Sequence, residues 1–284
     1  MLITDDITAL RRWRATARGP VGLVPTMGAL HAGHLSLVTG ARAACGAVVV
    51  SVFVNPLQFG PDEDLASYPR DLDGDLQRLR AAGVDAVFTP TADAFTGDLL
   101  TTVSVAGVTT VLEGASRPGH FAGVTTIVCK LFGVVGPDRA YFGEKDFQQL
   151  VTIRRMARDL DIAVEIVGMP IIRDDDGLAL SSRNAYLSDD ERGRATRLSQ
   201  ALHTTAEGWN GDADRACDLL CSILRDGDGI TVDYAEIVDH DSLVPLHGDG
   251  HQRARAVVAA RVGRTRLIDN LLLAPRAPDD VETT

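Results

Sequence analysis

Residues 21–34 read V-G-L-V-P-T-M-G-A-L-H-A-G-H, and this stretch decides the fold. Its first five residues form a short apolar run, and a helical pattern follows through Ala44. A chain that leaves a buried parallel strand through a glycine turn and enters a helix makes an anion site. The first N–H groups of that helix have no partner within it and point at the turn. Gly28 and Gly33 allow close backbone approach there. His31 and His34, three apart at the helix start, can direct both imidazoles the same way. The bland alternative is a glycine-rich turn with two solvated histidines. A two-histidine metal site lacks a nearby carboxylate to complete it.

Outward from this stretch, residues 47–54 (AVVVSVFV) are an unbroken apolar run suited to a parallel strand buried on both faces. Helical patterns over 71–82, 124–135 and 145–160 alternate with strand-like runs at 84–88 and 162–167. That alternation predicts an α/β domain with a mainly parallel sheet. After Pro170 the character changes. Asp174-Asp-Asp-Gly177 is a turn signal rather than a metal cluster, and helices are expected at 189–208 and 213–225. Three strand-like runs follow at 231–238, 254–262 and 265–271, the last two joined through Gly263-Arg264. The expected organisation is an α/β domain over 1–171, a smaller α+β domain over 172–273, and a disordered Pro- and Asp-rich tail over 274–284.

The 284 residues are 45% hydrophobic and carry a net charge of −11, so the chain can bury a sizeable core. A main task of gripping nucleic acid would need a basic footprint, and no nucleic-acid partner is expected. Cys45, Cys129, Cys217 and Cys221 form no C-x-x-C pair; the last two should share a helix face as small hydrophobes. The first 18 residues lack the apolar run of a signal peptide, and no stretch approaches a membrane span, which points to the cytoplasm. Only Lys130 and Lys145 among the 28 basic residues are lysines, so each is worth inspecting.

Lys145 opens a helix in Gly143-Glu-Lys-Asp146, where acidic residues suit the helix dipole and a cation opposes it. A bound phosphate would resolve that conflict. Gln149 lies about one turn further on the same face. Gln58, in N-P-L-Q-F-G (55–60), follows a strand at the end where open α/β sheets bind ligands. The neighbouring Asp62, Glu63 and Asp64 read as a solvated acidic loop. Two hydroxyls and a guanidinium in Leu180-Ser-Ser-Arg-Asn184 could close over phosphates, although alone the segment carries no signal. His120, in R-P-G-H-F-A-G (117–123), is open between a loop role and a substrate contact. His203, His240, His247 and His251 have no motif around them.

Six ordered blocks resemble the pantoate–β-alanine ligase (pantothenate synthetase) family: PTMGALHAGH (25–34), VSVFVNPLQFG (50–60), EDLASYPR (63–70), RPGHFAGVTTIV (117–128), YFGEKDFQQL (141–150) and DGLALSSRNAYL (176–187). With GRTRLIDN (263–270) the resemblance spans roughly residues 19–271. It implies a Rossmann-like domain of the nucleotidylyltransferase superfamily followed by a smaller lid domain. It also implies condensation of pantoate with β-alanine, driven by ATP with Mg²⁺ through a pantoyl adenylate, in a homodimer. Carried onto this sequence, Pro25, Thr26, Met27, Gly28, His31, Gly33 and His34 should meet ATP. So should Gly143, Glu144, Lys145, Asp146, Ile172, Leu180, Ser181, Ser182 and Arg183. Gln58, Gln149, Met27 and Asn55 should hold pantoate, while His31, His34, Lys145, Ser181, Ser182 and Arg183 serve the chemistry.

The sequence departs from the family pattern at Leu180, Ile171 and Asp71. Gly74 stands where the family is often acidic, leaving Asp75 as a weak metal candidate. A nucleotidylyltransferase of the same superfold would share the His-x-Gly-His loop without needing the two glutamines. A nucleotide-binding sensor would bind ATP and release no AMP.

Overall fold

A computed structural model describes residues 1–61, 63–251 and 253–274 of the chain. Beyond Ala274 the expected tail lies outside the described residues, as does Asp62. Two compact units divide the chain, Met1–Ile172 and the part from Arg173 onward.

In chain order the first unit contains β1 (Leu2–Thr4), α1 (Ile7–Thr16), β2 (Val21–Thr26), α2 (Ala32–Ala44), β3 (Ala47–Val52) and α3 (Leu72–Ala81). It continues with β4 (Ala86–Phe88), α4 (Ala92–Thr96), α5 (Leu112–Ser116), α6 (His120–Val135), β5 (Arg139–Gly143), α7 (Phe147–Asp159) and β6 (Glu165–Met169). Short 3₁₀ turns cover Pro56–Gln58 and Glu144–Asp146. The six strands form one sheet in the order β1-β4-β3-β2-β5-β6, and every pairing is parallel.

Parallel strands covered by helices on both faces need apolar side chains on both sides. β2 and β3 satisfy this: Val21, Leu23, Val24, Val48, Val49 and Val50 have no exposed surface. Each β2 residue pairs with its β3 counterpart from Val21↔Ala47 to Thr26↔Val52, so both strands end at one level. The chain crosses to β3 and then β4 on one side of β2, and later returns to β5 on the other. The strand order therefore reverses at β2/β5, the crevice where open α/β sheets take ligands.

The sequence reading missed β5. It is five residues long, begins at a charged Arg139 and ends in glycine, so it has no apolar run to announce it. β1, α1, α4 and α5 were likewise not expected. α6 begins at His120 rather than near 124, and β6 runs from Glu165 rather than 162.

The second unit opens with a bridge between Arg173 and Ala179 around the Asp174–Gly177 turn. Arg192 binds the carboxylates of Asp174 at 2.7 Å and Asp176 at 2.8 Å. That pairing accounts for two of the three consecutive acids. A 3₁₀ turn (Ser182–Tyr186), α8 (Asp189–Glu207), α9 (Ala213–Arg225), β7 (Ile230–Asp239), β8 (Ala254–Val262) and β9 (Thr265–Leu273) complete it. β7-β8-β9 is an antiparallel sheet, and the β8–β9 hairpin closes at Val262↔Thr265 with Gly263 at φ +57°. Ser188 and Glu191 form a reciprocal capping box that starts α8. Leu198 and Leu202 of α8 and Leu220 and Leu224 of α9 pack in one core with Ala256, Val258 and Val262.

Leu202 is fully buried in that core. Leu202→Ala should cost about 2–5 kcal/mol of stability, read as a lowered denaturant midpoint with an unchanged slope.

Candidate active site

The loop between β2 and α2 is held from behind by Asp75, a residue on α3 with 1% of its surface exposed. Its two carboxylate oxygens accept the backbone N–H groups of Ala29 at 2.9 Å and Leu30 at 2.8 Å. Arg78 lies 3.4 Å from the same carboxylate. Gly28 sits at φ +85°, and a Cβ there would stand 3.1 Å from the Asp75 carboxylate and 3.2 Å from Val52. The dihedral favours glycine, and the close approach leaves a Cβ little room. Thr26 adds a second tie, donating its hydroxyl to the Ser51 carbonyl at 2.7 Å and accepting from the Gly28 N–H at 3.3 Å. Asp75, weighed from sequence as a metal ligand, thus spends its oxygens on the loop backbone.

His31 is the N-cap of α2, a position normally taken by Ser, Thr, Asp or Asn. Its Nδ1 accepts the Gly33 N–H at 3.1 Å, while His34 Nδ1 accepts the His31 N–H at 3.4 Å. The two rings lie against each other, tilted by 42°, with centroids 4.1 Å apart. An Nδ1 that accepts a hydrogen bond carries no proton, so the neutral form of each ring carries its proton on Nε2. Burial, and then the neighbouring His31, hold the His34 pKa down to about 3; Asp146 opposes this and Lys145 adds to it. His34 is therefore neutral across the physiological range and presents an Nε2–H donor rather than an imidazolium ion.

Those influences also place the β5 side of the switch point beside His34. The 3₁₀ turn at the carboxyl end of β5 carries Glu144, Lys145 and Asp146. The Lys145 ammonium is 3.8 Å from Asp146, with 19% of its side chain exposed. The loops after β2 and β5 thus bring His31, His34, Lys145 and Asp146 together from positions over 100 residues apart.

The third wall follows β3. Asn55, 2% exposed, caps the Pro56–Gln58 turn by accepting the Leu57 N–H at 3.1 Å. Its amide donates to Gln58 Oε1 at 3.0 Å and to the Gly123 carbonyl at 3.1 Å. Gln58 Nε2 then reaches Met27 Sδ at 3.1 Å, linking this turn to the β2 loop. Asn55 consequently acts through Gln58. On α7, Gln148 is buried and committed to Val108, Val111 and Glu113. The side chain of the half-buried Gln149 makes no hydrogen bond among the described residues.

Glu63 overturns the expectation of a solvated acidic loop. It receives two hydrogen bonds from Arg117, both at 2.6 Å. Burial alone would raise its carboxyl pKa, but the Arg117 hydrogen bonds and charge outweigh that and lower it. Sequence reasoning missed Glu63, Arg117 and the loop-anchoring role of Asp75. The R-P-G-H segment was visible, but its partner 54 residues away was not.

In the second unit, Ser181 caps the 3₁₀ turn by accepting the Arg183 N–H at 3.3 Å, and Asn184 donates to the Ala179 carbonyl at 3.0 Å. Leu180, Ser181, Ser182 and Arg183 are all half-buried along this turn. Ile172 ends the first unit.

A parallel sheet with a preorganised donor loop at its switch point defines an α/β protein built to hold an anionic ligand beyond its strand ends. The Pantoate-beta-alanine ligase family model matches residues 2–272. Pantothenate synthetase of Mycolicibacterium smegmatis is 53% identical over 270 residues, covering 94% of this chain and 85% of its own. The crystal structure of pantothenate synthetase from Thermus thermophilus superposes with a TM-score of 0.92 at 48% identity, covering 97% of this chain and 100% of that one. Pantoate-beta-alanine ligase from Francisella tularensis, complexed with beta-gamma ATP and beta-alanine, superposes with a TM-score of 0.79 at 33% identity, covering 96% and 97%. The chain belongs to the pantoate–β-alanine ligase family and is a ligase. Among the described residues no helix is long and apolar enough to cross a membrane.

Two outcomes follow for the loop. His34 has a lower pKa folded than unfolded, so the unfolded chain binds more protons in acid. Its contribution to stability is complete above pH 6.5 and is lost as the pH falls toward about 3. Equilibrium unfolding should therefore show a shallower acid limb in His34→Gln than in wild type, by up to about 1.4 kcal/mol per pH unit. Asp75→Ala removes the acceptor of two loop N–H groups and should cost about 1–3 kcal/mol for each that stays buried. Hydrogen exchange at Ala29 and Leu30 should accelerate in step.

Proposed function

We propose that the chain condenses (R)-pantoate with β-alanine in two steps on one site. The pantoate carboxylate attacks the α-phosphorus of ATP and expels pyrophosphate, giving pantoyl adenylate. The amine of β-alanine then attacks the activated carbonyl; AMP leaves, the nitrogen loses a proton, and the amide of pantothenate forms. No enzyme nucleophile is required, so the protein contributes positioning and electrostatic stabilisation. The observation that carries this reading is the convergence of the His31/His34 loop with Lys145 at the strand-order reversal.

In this scheme Pro25–His34 and Gly143–Asp146 line the ATP side. The Nε2–H groups of His31 and His34 and the Lys145 ammonium meet the charge that grows on the departing pyrophosphate. Ile172, Leu180, Ser181, Ser182 and Arg183 are the further proposed ATP residues. Gln58 and Gln149 offer amides to the hydroxyls and carboxylate of pantoate, with Met27 and Asn55 supporting Gln58. Mg²⁺ enters as part of the nucleotide substrate and is held through phosphate oxygens. A homodimer and a cytoplasmic location belong to the same proposal.

The test is AMP and pyrophosphate release from ATP–Mg²⁺ with pantoate, with and without β-alanine. Pyrophosphate in stoichiometric amount without β-alanine, and continuous AMP plus pantothenate with it, is the expected result. ATP binding without AMP under any combination would leave a sensor, and pyrophosphate release indifferent to pantoate a nucleotidylyltransferase. His34→Ala should lower the adenylation rate by about 10²–10³, with pantoate binding little changed. Gln58→Ala should instead raise the pantoate KM by about tenfold or more.

A further inference from the structure

The Asn55–Gln58 turn does not stand alone; it is docked on the first turn of α6 and the residues just before it. Gly123 faces the turn so closely that a Cβ there would collide with the Leu57 carbonyl. The Gly123 carbonyl accepts from Asn55. From the same end, His120 Nδ1 lies 2.8 Å from the Gln58 carbonyl oxygen, and Arg117 Nη2 lies 3.3 Å from it. Arg117 Nη1 lies 3.2 Å from His120 Nε2. A guanidinium only donates, so His120 Nε2 accepts, and its proton sits on Nδ1 and is donated to Gln58. Burial, then the Arg117 charge, lower the His120 pKa, which favours that neutral form. Arg117 is itself fixed by its fork on Glu63 and lies 4.0 Å from Glu113. The backbone of Gln58 is thus pinned from one side while its side chain is aimed at Met27 from the other.

We propose that His120 and Arg117 are positioning residues for the pantoate end of the site, fixing Gln58 through its backbone carbonyl. Neither needs to touch substrate. Their effect is to hold one amide in one place, so that its hydrogen bonds to substrate are made without first ordering the turn. This inference rests on the reading that Gln58 binds pantoate, and the experiment separates the two.

Steady-state constants for pantoate and ATP would be measured in His120→Ala, His120→Asn, Gln58→Ala and the His120→Ala/Gln58→Ala double variant, beside their thermal midpoints. Asn keeps a donor near the place of Nδ1 and serves as the conservative rescue. His120→Ala should raise the pantoate KM by about tenfold, the loss of one buried hydrogen bond, with the ATP KM and kcat within about threefold of wild type. His120→Asn should recover most of that loss, and His120→Ala should add little once Gln58 is Ala. A wild-type pantoate KM in His120→Ala beside a raised one in Gln58→Ala would overturn the inference and leave the role of Gln58 standing. An unchanged pantoate KM in Gln58→Ala would overturn both. Equal loss for pantoate and ATP with a lowered thermal midpoint and no rescue by Asn would reduce His120 to a folding role.

Discussion

β2 is hydrogen-bonded to β3 on one side and to β5 on the other, and the chain travels in opposite directions from it. Everything else about the site depends on that arrangement. The chain runs from β2 to β3 on one side and from β5 to β6 on the other, and open α/β sheets take ligands beyond the strand ends at such a reversal. Loops anchored at the ends of two rigid strands then face each other across a fixed distance. The first supplies His31 and His34, the second Lys145, and the turn after β3 supplies Gln58. Chemistry that relies on positioned donors needs this rigidity, since a donor that must be ordered during the reaction gives back part of its benefit.

A buried carboxylate directly behind a loop proposed to hold phosphates looks misplaced by charge alone. The geometry resolves it. Asp75 does not face the ligand side; it consumes the N–H groups of Ala29 and Leu30, which would otherwise be buried without partners. Ala29 itself is held at φ +50°, a backbone conformation that non-glycine residues seldom adopt. Strain of that kind persists only when the surroundings over-determine it. The two hydrogen bonds to Asp75, the tie through Thr26 and the glycine at 28 are those surroundings.

The parts of the molecule that were legible in the sequence are those whose signal is local. The buried run of β3, the glycine-histidine loop and the β8–β9 hairpin each carry their pattern within about ten residues. β5 did not, because its neighbours in the sheet rather than its own five residues make it a strand, and without it the strand-order reversal could not be read. The two histidines could be placed on one side of a helix start by spacing alone. Their tautomers could not, because these depend on which backbone N–H each Nδ1 meets. Asp75 and Glu63 were visible as carboxylates, but their partners lie 45 and 54 residues away. A single sequence carries no record of such pairings.

The neutrality of His34 has a consequence for turnover. Hydrogen bonds from uncharged donors are roughly half as strong as those from cations, and they are less weakened by salt. In the proposed scheme the neutral His34 Nε2–H orients the phosphates without adding charge, and Lys145 and Arg183 supply the charged contacts. The chain as a whole carries a net charge of −11, so it adds no long-range attraction that would hold a polyanion. In the proposed two-step reaction, a neutral His34 suits a site that must release its leaving group before a second nucleophile can use it.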